Sequence, residues 1–250
     1  MSVEDSVLAT KIEPRGAAAV LRVDGLLDSS SYPQLRDVLL HAVDPAPHAL
    51  VVDLSRLTAH TPAPLSVFAV VRLSVARWPG VPLLLAEPGP ELRAVMERST
   101  VLEFVPVFPT VDQALASVLD APPRDRVRFS VPVRRVSPPW IAEVVGEVCR
   151  NWGVPRAAGP ATTVAEQLIF EALAGDASWG DGLLLRVELC DGLLTVAVRV
   201  DDPFLPQLGG GVDRGRELAA VAHTWGYTPT GDGRRVAWAT IKTASGPAAR

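Results

Sequence analysis

The segment Ala49–Leu54 is a short apolar run closed by Asp53 and Leu54, and a second apolar stretch, Pro64–Trp78, follows within ten residues. A run apolar at consecutive positions fits a strand covered on both faces, because a strand with one wet face would alternate. The second stretch carries Leu65, Val67, Phe68, Val70, Val71, Leu73 and Val75 and is too long for one strand, so it is predicted to be a helix. Between them lies Ser55-Arg56-Leu57-Thr58-Ala59-His60-Thr61-Pro62-Ala63, a polar passage ending in a proline-flanked turn. A doubly covered strand feeding a helix demands a layered α/β fold.

The flanking pattern extends this reading. Val7–Ile12 and Ala17–Asp24 are apolar runs separated by Glu13-Pro14-Arg15-Gly16, the signature of a hairpin turn. After Gly25-Leu26-Leu27-Asp28, Ser29–Ser31 offer helix caps and Pro33 suits a first helical turn. Leu35, Val38, Leu39 and Ala42 then recur at helical spacing. Val81–Ala86 is predicted to be a strand, Glu91–Ser99 a helix, Phe104–Phe108 a short strand, and Val111–Leu119 a helix capped by Thr110. Strand, strand, helix and then strand–helix units imply a mixed sheet carrying helices.

Gly25-Leu26-Leu27-Asp28 and Val51-Val52-Asp53-Leu54-Ser55, in this order of elements, resemble a STAS domain, the anti-sigma-factor antagonist module, over residues 5–120. The resemblance implies that a serine at the start of the helix after Val51–Leu54 is phosphorylated by a partner kinase, and that Asp28, Thr61, Ala63 and Ser66 belong to the partner-binding surface. A helix start suits a phosphate, since free N–H groups and the helix dipole stabilise an anion there. Thr61-Pro62-Ala63-Pro64 replaces the Asp-Ser-Ser-Gly pattern of the family, and Ala63, with no hydroxyl, stands at the acceptor position. A slip of register would offer Thr61 or Ser66 instead. His60 has no nucleophile or carboxylate pair placed with it and is read as a loop histidine.

Leu119–Arg126 has prolines and charges without hydrophobic period, and 121–126 is expected to be a linker between domains at 1–120 and 127–250. Beyond it, Val127–Val133 alternates as a strand does, and Trp140–Trp152 and Ala161–Ala174 are helical in period. Leu183–Leu189 and Leu193–Asp201 flank Cys190-Asp191-Gly192, a hairpin signal. Leu205–Arg214 is expected to be a loop, Arg216–Trp225 a helix and Arg235–Lys242 a strand.

Trp140–Gly153, Leu194–Pro206 and Arg214–Gly226 resemble pieces of the histidine-kinase-like (GHKL) ATPase fold in the compact form of anti-sigma-factor serine kinases, an α/β sandwich. The resemblance implies a helix asparagine for Mg²⁺ and a nearby glutamate as base. The corresponding helix, Glu166-Gln167-Leu168-Ile169-Phe170-Glu171, contains no asparagine. Gln167, Glu166 and Glu171 are alternative metal contacts or a solvated helix face. Asp201 or Asp202 follows a strand as the adenine-binding aspartate of the family does, with Pro203 where its glycine is expected. Gly209, Gly210, Gly211 and Gly215 are either a phosphate approach or a flexible connector, and Arg214 and Arg216 either neutralise phosphate or solvate that loop.

Composition narrows the function. The chain has 250 residues, 48% of them hydrophobic, and a net charge of −4, which gives no pull toward nucleic acid. No apolar run reaches the ~18 residues that span a bilayer, and the acidic start lacks a signal pattern, so no membrane partner and a cytoplasmic location are expected. The two cysteines, Cys149 and Cys190, lie in no metal-binding spacing and are read as buried thiols, so no metal or cofactor is expected beyond the open question of ATP and Mg²⁺.

Three functions fit these residues. The first is a non-enzymatic regulator of bacterial anti-sigma/anti-anti-sigma partner switching, with phosphoacceptor and ATP-site chemistry lost. Its partners would be an anti-sigma kinase or STAS protein, with the two domains of this chain also able to associate in cis. The second is an active Mg-ATP-dependent anti-sigma-factor serine kinase with a shifted metal ligand, and the third a small-molecule sensor.

Overall fold

The computed structural model describes residues 8–76, 78–119, 124–173, 183–200 and 218–243. These fall into two compact units, Met1–Ala121 with Thr230–Gly233, and Pro122–Pro229 with Arg234–Arg250.

The first unit is a mixed α/β layer structure. Strands β1 (Ala9–Arg15), β2 (Ala18–Leu26), β3 (Leu50–Thr58), β4 (Leu83–Ala86) and β5 (Val107–Phe108) lie in sequence order across one sheet. The β1–β2 pair is antiparallel and the rest are parallel. Pro14 falls inside β1 rather than in the turn, which an edge strand tolerates because one row of its N–H groups has no ladder to serve.

Helices α1 (Tyr32–Val43), α2 (Ser66–Val75), α3 (Pro90–Met96) and α4 (Val101–Phe104) contribute to a core with Leu21, Leu50, Val52, Leu54, Leu83 and Leu85. The opposite face of the sheet carries Val20, Val51, Leu84 and Ala86, packed on Ala114 and Leu115 of α5 (Val111–Ala116). Val51 and Val52 thus enter different cores, which is the physical content of the unbroken apolar run. Thr110 caps α5 as expected, its hydroxyl oxygen accepting from the Gln113 N–H at 3.2 Å.

Further expectations in this half change. The strand β3 continues through Thr58 because Asp24, Gly25 and Leu26 of β2 pair with Arg56, Leu57 and Thr58. Phe104 ends a helix instead of opening a strand, since Val101–Phe104 closes a turn against the core through Val101. The helix predicted from Glu91 to Ser99 is α3, ending at Met96.

The second unit is a five-stranded antiparallel sheet with helices on one face. Its order is β6 (Arg124–Val131), β7 (Leu183–Cys190), β8 (Leu193–Val200), β10 (Arg235–Lys242), β9 (Thr224–Pro229). Helices α6 (Pro138–Asn151) and α7 (Ala158–Leu173) supply Ile141, Val145, Cys149, Val164, Leu168 and Ile169 to a core with Leu185, Val187, Val196, Val198 and Ala239. The β7–β8 turn has Asp191 at φ 49° and Gly192 at φ 70°, the left-handed pair that a two-residue hairpin requires.

Strand β6 begins at Arg124, so Arg124–Arg126 of the expected linker are sheet residues. They are recruited by Glu188, as described below. The helix expected over Arg216–Trp225 is helical at 218–221, and Thr224 and Trp225 open β9 instead. The β-forming Thr224, Trp225, Tyr227 and Thr228 pair with β10, and Gly226 makes room for the Trp238 ring, which lies 3.1 Å from where a Cβ would stand.

Candidate functional site

Two loops meet at the carboxyl ends of β2 and β3. The Leu27 N–H donates to the Thr58 carbonyl at 2.8 Å, and the Thr58 hydroxyl donates to the Gly25 carbonyl at 3.2 Å. Gly25 adopts φ 126°, which lies outside the range of an L side chain and explains why the Gly25–Asp28 motif starts with glycine. The backbone turn here lets Asp28 fold over the entrance of α1.

Asp28 organises the serine cluster. Its Oδ1 accepts from the Ser30 N–H at 2.8 Å, the Ser31 N–H at 3.1 Å and the Ser30 hydroxyl at 2.7 Å. Ser31 accepts the Asp28 N–H at 2.9 Å and donates to the Leu26 carbonyl at 2.9 Å. Ser31 holds the N-cap position of α1 without bonding the helix N–H groups, so it ties β2 to α1 instead. The Ser30 hydroxyl, followed by the backbone N–H groups of Ser31 and Ser30, holds the Asp28 carboxyl below the usual carboxylate range. Asp28 is therefore an ionised surface acceptor whose orientation is set locally.

The second loop brings Thr61, Ala63 and Ser66 to the surface, all exposed. Pro62 leads a single 3-10 turn, Ala63–Leu65, that runs directly into α2, with Pro64 and Leu65 buried. Prolines are tolerated here because the first N–H groups of a helix have no partner within it. Position 63 lies at the helix entrance, as the sequence predicts, and presents a methyl group. Ser66 directs its hydroxyl back to the Ala63 carbonyl at 2.8 Å. Of the two alternative hydroxyls, Ser66 is thus engaged by its own helix turn, while Thr61 stands in the loop before it. His60 is exposed.

Sequence reasoning missed one feature of this surface. In the sequence Val70 and Leu73 read as part of an apolar helix, yet they are 44% and 56% exposed while Val67, Phe68, Val71 and Val75 are buried. Ala63, Ser66, Val70 and Leu73 follow the three- and four-residue steps of one helix face. The signal was available: α2 is apolar around more of its circumference than one buried stripe needs.

Asp53 lies on the α5 side of the sheet and is 4% exposed. Arg22 Nε donates to its Oδ2 at 3.0 Å and the Ser55 N–H to its Oδ1 at 3.0 Å. Burial raises the Asp53 carboxyl, but the hydrogen bonds from Ser55 and Arg22 prevail and leave it below its ordinary value.

In the second unit, Asp201, Asp202, Pro203, Gly209, Gly210, Gly211, Arg214, Gly215 and Arg216 lie outside the described residues. Glu166 and Gln167 are half-buried on α7. Glu171 accepts a long hydrogen bond from the Tyr227 hydroxyl at 3.4 Å, joining α7 to β9. Burial and the neighbouring Glu171 both push the Tyr227 phenol up, so it stays protonated as the donor. Cys149 is buried and Cys190 half-buried, and both are free. Burial raises the Cys149 thiol, which suits a packing role over a reactive one. Among the described residues, no three His, Cys, Asp or Glu side chains group as metal ligands, and no helix is long and apolar enough to cross a membrane.

Residues 9–114 match the STAS domain family, and this segment of the chain is a STAS domain. Among solved structures, an anti-sigma factor antagonist from Mycobacterium paratuberculosis is 29% identical, spanning 48% of this chain and all 100% of its own, with a TM-score of 0.40. The Bacillus cell fate determinant SpoIIAA in its phosphorylated form is 20% identical over 44% of this chain and 99% of its own, with a TM-score of 0.34. A STAS-domain protein from Planctomyces limnophilus is 14% identical over 44% of this chain and 96% of its own, with a TM-score of 0.37. No curated protein matches the chain.

Proposed function

We propose that the protein is a non-enzymatic regulator of the anti-sigma/anti-anti-sigma partner-switching type, binding a protein through the Asp28 and Thr61–Ser66 corner of its STAS domain without being switched there by phosphate. The observation that carries this reading is Ala63: a methyl group occupies the exposed helix entrance where the family implies a serine. The adjoining exposed Val70 and Leu73 supply apolar contact area for a protein partner. A phosphoserine would bring nearly two negative charges to this point, and alanine removes that option while keeping the surface.

The second unit is, on the same reading, a degenerate GHKL-like ATPase module. Its sheet-and-helix sandwich and the absence of asparagine from α7 support this, as does Glu171 serving as acceptor for Tyr227. Magnesium needs hard oxygen ligands held toward it, and α7 has no asparagine carbonyl to give.

The test is transfer of labelled phosphate from an anti-sigma-factor serine kinase to wild type and Ala63→Ser. Label on the variant and none on wild type is expected. Stoichiometric label on wild-type Thr61 or Ser66 overturns the loss of switching. In parallel, Val70→Asp with Leu73→Asp is expected to weaken partner binding at least tenfold at unchanged thermal stability, since both residues are exposed. Magnesium-dependent ATP binding by calorimetry would favour the active-kinase alternative.

A further inference from the structure

We propose that the STAS domain binds an amphipathic carboxylate in a cleft at the end of the sheet opposite the Ala63 corner. The cleft has a volume of about 450 Å³, within the range of small-molecule sites, and lies between the Gly16–Ala18 turn, His48 and the end of α5. Its apolar wall is Leu115, Val118 and Leu119, and its polar groups are Arg15 and His48.

Three observations select the ligand class. First, among the described residues no acidic side chain lines the cleft, and Arg15 brings a formal positive charge to it with an imidazole beside it. The carboxylate nearest along β1, Glu13, is paired with Lys11 at 2.8 Å, and among the described residues Arg15 has no ion pair. A guanidinium and an imidazole N–H are together a donor set for a carboxylate, and a charge-assisted bond is the strong kind. Second, Leu119 is 81% exposed, a large apolar side chain at the rim with Leu115 and Val118 below it, which an alkyl chain would cover. Third, the walls are held before any ligand arrives: the His48 N–H donates to the Ala17 carbonyl at 2.8 Å, locking the His48 loop to the β1–β2 turn. Preformed walls lower the ordering cost of binding.

The location separates this site from the proposed partner surface. Ala18 starts β2 and His48 precedes β3, whereas Ala63 follows the far end of β3. The nine residues of β3 span roughly 25–30 Å, so a ligand in the cleft does not compete sterically with a protein at Ala63.

The experiment is a titration of the full-length protein with decanoate below its micellar concentration, followed by amide chemical shifts, with decanol as the uncharged control. Shifts confined to 15–18, 48 and 115–119 are expected, with decanol at least tenfold weaker. Arg15→Gln combined with His48→Gln is expected to lower decanoate affinity at least tenfold while leaving decanol binding unchanged. Both side chains are on the rim, and unaltered amide shifts elsewhere in the unliganded variant verify its fold. Absence of shifts at these residues overturns the site. Equal binding of decanoate and decanol, or an unaffected double variant, overturns carboxylate recognition. Neither outcome depends on whether Ala63 lies in a partner surface.

Discussion

The two sheets handle buried charge in opposite ways. In the first, Asp53 meets one guanidinium, Arg22, whose own side chain is 46% exposed, so the pair is solvated from one side. In the second, Glu188 is 6% exposed and meets three: Arg124 at 2.9 Å, Arg126 at 3.1 Å and Arg186 at 3.6 Å, with side chains 13%, 20% and 7% exposed. The register explains it, because Arg126 stands opposite Glu188 and Arg128 opposite Arg186 in the β6–β7 ladder. A parallel strand covered on both faces leaves little room for charge, whereas an antiparallel strand segregates its apolar residues to one face and puts its charges on the other. Buried ions need partners, and the Glu188 cluster supplies its own.

Removing the carboxylate from the second cluster should have the larger effect. Glu188→Gln removes the carboxylate that these three guanidiniums share, and is expected to cost about 3–5 kcal/mol of unfolding free energy, the range for breaking a buried pair. A loss below about 1 kcal/mol in chemical denaturation would show that water screens the cluster as well as it screens Arg22. Asp53→Asn should cost only about 1 kcal/mol, because its partner is half in solvent.

The acid response sharpens the contrast. The folded Asp53 carboxyl titrates below the unfolded one, so the unfolded chain takes up this proton first as pH falls. Its contribution is therefore complete above about pH 4 and is lost as the pH drops through the folded value. Stability of wild type and Asp53→Asn should converge below that point, and parallel curves down to pH 2 would exclude the linkage. The smallest effect is expected at the α5 cap: Thr110→Ala should cost about 1 kcal/mol or less, read as faster amide exchange at Gln113 and Ala114.

Much of the fold was legible because its signals are local. Val51 and Val52 report a doubly covered strand by being apolar in succession, Thr110 announces a helix, and Cys190-Asp191-Gly192 announces a hairpin. The helix expected through Trp225 failed where local signals are weak: only His223 separates the apolar residues 218–222 from Thr224 and Trp225, and pairing with β10 makes the latter two a strand. The candidate site was legible at Ala63 and Asp28. Val70 and Leu73 were not, because their side chains are apolar and only packing shows which face of α2 is turned outward.

The residue types alone determined that position 63 has no hydroxyl, that α7 has no asparagine, and that the first half alternates strand and helix. These are chemical identities or patterns of one or two turns, and no neighbour can alter them. The three-dimensional structure decided that Asp28 spends its carboxylate on the Ser30–Ser31 backbone, that Ser66 turns its hydroxyl back to the Ala63 carbonyl, that Arg124–Arg126 join a sheet, and that Arg15 and His48 face one cleft. The sheet pairing of Arg124–Arg126 and the cleft of Arg15 and His48 depend on partners distant in sequence, while the Asp28 and Ser66 bonds close within three residues and depend on the direction the chain takes after a turn. Hydrogen bonding and burial are settled by those neighbours, and a linear reading does not contain them.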